Sequence, residues 1–305
     1  MPAIKSTSTK LFKQRYLILM SIPFLVHAII FRYIPIWGWT MAFQDFKPTL
    51  GFFGQQWVGV KHFAALFSDS DFPRIMRNTL AMSTINLALG TFTCILLALS
   101  LNEMHHVLTK RTIQTISYLP HFVSWVVAAN IVLTLLASDG IINEILVSTG
   151  VIKEPVIFMG KEKLFWWIIG FSNIWKNVGW GAIIYLAAIA ALDPQLYEAA
   201  DIDGASRLQK IFHITLPGIK STIIVLLIMN IGWIMNAGFE QPYLLQNTLV
   251  KDYSTTIDIF VLERGMGMGQ YSFSTAAGIF KSVVSLVLVF LTNRLAKRFG
   301  QERLI

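Results

Sequence analysis

Six apolar stretches run along this chain, at roughly 16–38, 79–101, 113–137, 164–192, 219–236 and 271–292. Each is close to the ~20 residues a helix needs to cross the hydrocarbon layer of a bilayer. The pattern predicts an all-α integral membrane fold of six transmembrane helices. Between them, loops 39–78, 138–163 and 237–270 hold polar, Gly and Pro residues, and each is too short for a separate domain of ordinary size. The organisation expected is an N-terminal segment over 1–15 and a single transmembrane domain over 16–305. Loop 193–218, between spans four and five, is patterned strongly enough to carry structure of its own.

Composition supports the membrane reading. Apolar residues make up 54% of the 305 and charged residues 14%, with a mean hydropathy of +0.59. Soluble domains carry roughly 25% charged residues, so much of this surface must face lipid. The net charge of +8 would point to nucleic acid in a soluble protein. Here it sorts by membrane side, and no nucleic-acid partner is expected. The N-terminus, loop 102–112, loop 193–218 with Lys220, and the C-terminus carry thirteen basic and six acidic residues; the other three loops, with Arg32, carry ten and eleven. Basic residues collect on the cytoplasmic side, which puts both termini inside. Lys5, Lys10, Lys13 and Arg15 precede the first stretch, and Val26-His27-Ala28 resembles a signal-peptidase site. The apolar run continues to Trp37, however, so an uncleaved signal anchor is the reading. Trp37, Trp39, Phe43 and Phe46, and Phe165, Trp166 and Trp167, sit where an interfacial aromatic belt belongs.

Loop 193–218 is the most informative segment. Asp193 is placed to cap a helix that has Pro194 in its first turn. Gly204 breaks that helix, and Ser206 caps a second one over Arg207 to Ile214, which Leu216-Pro217 ends. Leu208, Ile211, Phe212 and Ile214 recur at helical spacing. The predicted product is a stiff helical hairpin suited to filling a groove on a soluble partner.

The order Glu198-Ala199-Ala200, three residues, Gly204, nine residues, Ile214, one residue, Leu216-Pro217 resembles the signature loop of membrane subunits of bacterial binding-protein-dependent ABC importers. In that family the loop forms coupling helices that dock on an ATP-binding subunit. The resemblance implies ATPase-subunit docking by Glu198, Ala199, Ala200, Asp203, Gly204, Ile214, Leu216 and Pro217. A looser likeness over roughly 15–300 is to the carbohydrate-uptake branch, including permeases for alginate-type oligosaccharides. It is carried by Asn78-Thr79-Leu80, Tyr118-Leu119-Pro120, Asp201-Ile202-Asp203-Gly204-Ala205, Phe239-Glu240-Gln241 and Tyr271-Ser272. It implies a second permease, two ATP-binding subunits and an extracytoplasmic solute-binding protein as partners, and a place in the bacterial cytoplasmic membrane.

Polar groups within and beside the spans are the candidates for cargo. Trp175, Lys176 and Asn177 lie midway through span four, Asn230 and Asn236 in span five, and Glu240, Gln241 and Tyr243 just after it. Amides bond sugar hydroxyls and aromatic faces stack on C–H surfaces. A lysine in mid-membrane costs ~2.5–3.5 kcal/mol, so Lys176 is expected to face a cavity, a partner or an anionic cargo. Lys281 is the second intramembrane lysine, and neither has an acidic residue within the predicted spans to pair with.

Catalytic chemistry is not legible. Cys94 is the single cysteine, so no disulfide and no cysteine-based metal site can form within the chain. His105 and His106 adjoin in a basic loop without metal-ligand spacing, and His121 reads as a polar packing group. Gly160-Lys161 lacks both the first glycine and the following Ser or Thr of a phosphate loop. No cofactor is expected in this chain; ATP and magnesium belong to the partner subunits. An ion-gradient carrier, a membrane enzyme, or an importer of amino acids or phosphate are the alternatives. The first lacks acids within the spans, and the second lacks paired carboxylates outside the signature loop.

Overall fold

The computed structural model describes residues 14–51 and 54–298, with side chains as far as Arg294. Lys5, Lys10, Lys13, Glu302 and Arg303 of the charge argument, and nearly all of segment 1–15, lie outside the described residues. Three helical runs are long and apolar enough to cross a membrane unaided: Arg15–Phe43, Phe72–Asn102 and Tyr271–Arg294. Three more qualify as bent pairs, Val107–Phe122 with Trp125–Leu135 at 106°, Glu162–Ala190 with Pro194–Ile202 at 71°, and Arg207–Gly218 with Lys220–Gly232 at 57°.

Helix α1 (Arg15–Ala28) continues through a π turn, Ile29–Tyr33, and a 3-10 stretch, Ile34–Phe43. It ends five residues beyond the sequence estimate. Strands β1 (Gln44–Asp45) and β2 (Gln56–Trp57) form a small antiparallel hairpin, and α2 (Lys61–Ser68) follows. Helix α3 (Phe72–Asn102) begins a full two turns before the predicted span, with Pro73 in its first turn, where a missing N–H costs nothing. The predicted third span, 113–137, is not one helix. It comprises α4 (Val107–Tyr118), a 3-10 turn Leu119–Phe122 entered at Pro120, and α5 (Trp125–Leu135). Val123 and Ser124 are extended, and the Ser124 hydroxyl accepts from the Val127 N–H at 3.4 Å. The break is a proline followed by a fresh N-cap. Next come α6 (Ile141–Ser148), α7 (Glu162–Ala190), α8 (Pro194–Ile202), α9 (Arg207–Lys210) and α10 (Lys220–Gly232). Loop 237–270 holds α11 (Glu240–Leu245), α12 (Lys251–Ser254) and α13 (Ile257–Leu262) before α14 (Tyr271–Arg298).

The chain divides into two compact units. The first takes residues up to Phe67 with Arg264–Ile279. In it, Ser272 Oγ donates to the Gln44 carbonyl at 2.6 Å and accepts from the Phe46 N–H at 2.9 Å. Phe43 stacks on Trp57 with centroids 5.7 Å apart, and Asp45 pairs with Lys61 at 2.8 Å and His62 at 3.1 Å.

The second unit takes Ser68–Glu263 with the chain from Phe280 on. Its frame is α3 against α7. Glycines allow the close approach: a Cβ on Gly170 would fall 2.6 Å from Ile85, and one on Gly181 2.5 Å from the Cys94 sulfur. Small residues at helix contacts are the usual means of packing in lipid, where the hydrophobic effect does not draw helices together. Asn78 and Thr79, fully buried near the start of α3, explain one looser sequence likeness. Asn78 Nδ2 donates to the Asp252 and Thr255 carbonyls at 3.0 and 3.1 Å, and Thr79 Oγ1 accepts from the Ile257 N–H at 2.9 Å. Two side chains thereby satisfy backbone groups in the α12–α13 link that would otherwise be buried without partners.

Candidate functional site

Two features stand out, a helical hairpin and a polar cleft. The hairpin is 193–218. Asp193 caps α8, accepting from the Gln195 N–H at 2.9 Å. At the other end, Ala205 N–H bonds the Ala200 carbonyl at 2.9 Å and Gly204 N–H bonds the Asp201 carbonyl at 3.1 Å. Gly204 has φ +73°. This six-to-one and five-to-two pair is a Schellman ending, which needs a left-handed residue four positions after the first acceptor. The spacing from Ala200 to Gly204 is therefore a geometric requirement. Ser206 and Gln209 then form a full capping box for α9, with bonds of 2.7 and 3.4 Å. Lys210 pairs with Asp201 at 2.7 Å, and the Tyr197 and Thr215 hydroxyls meet at 2.9 Å, tying the two arms together.

The second arm departs from expectation. Helix α9 gives way to a π turn, Ile211–Thr215, and helical geometry continues through Pro217 to Gly218, breaking only at Ile219. The widened turn leaves room for the Pro217 ring, which would otherwise press on the carbonyl four residues back. The apolar side chains also divide. Leu196, Ile202, Leu208 and Phe212 are exposed, Ile202 at 88%. Ile211 and Ile214 are half-buried, and Leu216 packs on the core of Cys94, Ala98, Ala182, Tyr185, Ile189 and Ile219. Of the residues expected to dock a partner, Glu198, Ala199, Asp203, Gly204 and Pro217 are exposed; Ala200, Ile214 and Leu216 are half-buried.

The cleft, about 440 Å³, lies among α3, α7 and the α10 end. Asn86, Asn173, Asn177, Asn230 and Asn236 line it with Trp180 and Trp233. Asn173, Asn177 and Trp180 share one face of α7 by their spacing. Asn177 Nδ2 donates to Asn173 Oδ1 at 2.5 Å, and Asn177 Oδ1 lies 3.0 Å from His121 Nδ1. The His121 ring stacks on Trp180, 4.6 Å apart and 2° from parallel. Ser83 Oγ and Asn86 Oδ1 are buried without hydrogen-bond partners. A buried polar atom without a partner is costly, and both belong to residues that line the cleft.

Of the eight cargo candidates, Asn177, Asn230 and Asn236 line the cleft, and the other five lie elsewhere. Lys176 is 5% exposed and donates to the carbonyls of Pro120, His121 and Val123 at 3.3, 2.8 and 2.6 Å. Lys176 thus bridges the α4–α5 break, its ammonium directed at three backbone carbonyls. Gln241 is buried, donating to the Ile169 carbonyl at 2.7 Å and Ser172 Oγ at 2.8 Å. Trp175, Glu240 and Tyr243 are exposed away from the cleft lining, Tyr243 stacked on Phe239. Lys281 pairs with Asp258, an acid the sequence placed in a loop and the structure places on α13. Sequence reasoning missed Asn86, Asn173, Trp180 and Trp233; His121, read as a polar packing group, packs on Trp180. Asn173, Asn177 and Trp180 at positions i, i+4 and i+7 were the available signal.

A stiff, exposed hairpin joined to a polar cleft among apolar helices is the build of a membrane transport subunit that a partner moves. The family described as binding-protein-dependent transport system inner membrane component matches residues 90–301, and the chain belongs to that family. It is 48% identical over 294 residues to the polygalacturonan/rhamnogalacturonan transport system permease protein YteP of Bacillus subtilis (strain 168), covering 96% of this chain and 91% of that protein. It is similar in structure to a chain of a bacterial ABC transporter involved in the import of the acidic polysaccharide alginate, with TM-score 0.88 and 38% identity over 96% of this chain and 99% of that one. A chain of the bacterial alginate ABC transporter in complex with alginate pentasaccharide-bound periplasmic protein matches equally, at TM-score 0.88 and 37% identity over 97% and 99%.

Proposed function

We propose that this chain is one permease subunit of an ATP-driven importer of acidic oligosaccharides in the bacterial cytoplasmic membrane. In this reading the bent pair Val107–Phe122 with Trp125–Leu135 is one span, Glu162–Ala190 and Lys220–Gly232 each contribute another with the 193–218 hairpin outside the bilayer between them, and the total is six with both termini cytoplasmic. A second permease, two ATP-binding subunits and an extracytoplasmic solute-binding protein complete the assembly. ATP and magnesium bind the ATPase partners.

The observation that carries the reading is the capped hairpin with its exposed apolar residues. A floppy loop would absorb a partner's movement; two short helices locked by a Schellman ending, a capping box and the Lys210–Asp201 pair pass it on. Glu198, Asp203 and Gly204 stand exposed for contact with an ATPase groove, and Leu216 anchors the hairpin to the core. Closure of the ATPase pair then rocks the spans about a midplane site.

The cleft supplies this chain's share of cargo recognition. Five amides suit sugar hydroxyls, and two indoles suit the C–H faces of pyranose rings. Among the described residues, no Lys or Arg lines it. Acidic cargo is supported by YteP and the alginate transporters, so carboxylates are recognised on the partner permease or the binding protein, and this chain reads hydroxyls. The experiment is reconstitution of the full transporter with binding protein in liposomes. Uronic oligosaccharides should raise ATP hydrolysis more than neutral oligosaccharides of equal length. Stimulation by neutral sugars alone would overturn the acidic cargo, and stimulation by neither would overturn sugar import.

A further inference from the structure

We infer that a groove at the start of α3 and α7 binds the headgroup of an anionic phospholipid. The groove, about 700 Å³, is open and lies within the second unit. Its upper rim carries Arg77 and Lys163; below them lie Leu80, Ile85 and Trp167. Among the described residues, no carboxylate lines it.

The vertical order identifies the ligand. Arg77, Leu80, Ala81, Thr84 and Ile85 fall on one face of α3, and the eight steps from first to last descend about 12 Å. Lys163, Trp166 and Trp167 descend α7 in the same sense. Both cations therefore sit at helix starts, where a span meets the headgroup layer, with an apolar stripe beneath that is exposed at Leu80 and Trp167 and half-buried at Ile85. A free uronate or phosphate would match the cations and leave the stripe unused. A phospholipid fills both, phosphate at the rim and an acyl chain along Leu80, Ile85 and Trp167.

The rim is preorganised. The Arg77 guanidinium lies over the Trp166 and Tyr253 rings, 5.5 and 4.7 Å from their centroids, and the two rings touch each other with centroids 5.2 Å apart. Trp166 Nε1 donates to the Tyr253 carbonyl at 2.8 Å and holds the two rings together. Arg77 bonds only neutral oxygens, Asn78 Oδ1 and the Asp252 carbonyl, through Nε and Nη2. Its Nη1 makes no hydrogen bond among the described residues. The Asp252 carboxylate is engaged by Arg74 instead. Lys163 is exposed and has no ion pair among the described residues. Two uncompensated cations at a membrane edge favour an anionic headgroup over a zwitterionic one.

The inference rests on reading α3 and α7 as membrane-crossing and is independent of cargo and ATPase. The test is native mass spectrometry of the assembled transporter, titrated with phosphatidylglycerol, with phosphatidylcholine of the same tails, and with glycerol phosphate. Phosphatidylglycerol should be retained preferentially, and glycerol phosphate should not displace it. Lys163→Gln should weaken retention about fivefold and the double variant with Arg77→Gln about thirtyfold, equivalent to ~1 kcal/mol per basic residue at an anionic surface. Because Arg77 also braces Asn78 and Asp252, Lys163→Gln alone decides if the double variant does not assemble. Unchanged retention in Lys163→Gln, equal retention of the two lipids, or displacement by glycerol phosphate would overturn the site. So would a photo-cross-linker at position 167 that captures the partner permease and not lipid. Sugar-stimulated ATPase activity measured on the same variants separates failure of this site from failure of the importer assignment.

Discussion

The ammonium of Lys176 donates to the carbonyl oxygen of Val123 at 2.6 Å, across the break between α4 and α5. Two further carbonyls share it, and the same break holds His121 against Trp180 in the cleft wall. Lys176 is thus a positioning residue for the cleft. Removing the amine takes the Lys176 donor from the His121 and Val123 carbonyls, at ~1–3 kcal/mol for each that finds no substitute, while the Pro120 carbonyl keeps the Val123 N–H at 3.2 Å. Lys176→Met should lower the melting temperature of the assembled transporter and reduce uptake of neutral and uronic oligosaccharides to the same extent. Selective loss of uronic uptake at an unchanged melting temperature would restore Lys176 as a cargo ligand.

Asn230 and Asn236 line the cleft and are exposed, with no side-chain hydrogen bond among the described residues. Alanine at either position should leave assembly and melting unaltered. Each lost hydroxyl contact is worth about 0.5–1.5 kcal/mol. The sugar concentration for half-maximal uptake should therefore rise roughly two- to twelvefold. Uptake kinetics in proteoliposomes report it, and an unchanged half-maximal concentration in both variants would remove these amides from the cargo path.

Asp45 makes the hairpin of the first unit acid-sensitive. The hydrogen bond from Lys61 is the largest cause holding its carboxyl below the usual 3.8, with the charges of Lys61 and His62 adding to it. A carboxyl whose folded pKa is depressed stabilises the fold above its unfolded pKa, and that contribution is lost as pH falls through the folded value. The pair is partly exposed, so it is worth less than ~1 kcal/mol. Amide exchange across residues 43–63 should quicken as pH drops below ~4, after correction for intrinsic rates. In Asp45→Asn the same segment should exchange faster at pH 6, with little added change on acidification.

Much of this was legible in the sequence, for reasons that differ by element. The apolar runs announced the spans because lipid leaves a helix no other way to satisfy its backbone. The hairpin was legible because its signals are local: the Asp193 and Ser206 caps and Gly204 in the left-handed region need only their neighbours. The bend at Pro120 was visible as a proline, but its 106° angle depends on three carbonyls finding Lys176 from another helix. The cleft was half visible. Asn177, Asn230 and Asn236 stood out as amides in apolar runs. Gln241 had the same appearance but is buried, bonded to Ile169 and Ser172, partners some seventy residues away in the chain. Sequence spacing reports which face of a helix a residue takes, not what that face meets.

The central claim is that the 193–218 hairpin docks an ATPase. Gly204 tests it cleanly, because a Cβ there meets nothing within 4 Å and only the φ of +73° opposes a side chain. A β-branched residue in that conformation is strained by ~1–2 kcal/mol, enough to undo the Schellman ending while leaving the membrane core intact. The decisive measurement is co-purification of the tagged chain with the products of its neighbouring genes, beside a Gly204→Val preparation. The account predicts an ATP-binding subunit bound to the native chain and lost from the variant, with the partner permease retained in both. A native chain that purifies without any ATPase, or a variant that holds it equally well, would contradict the account.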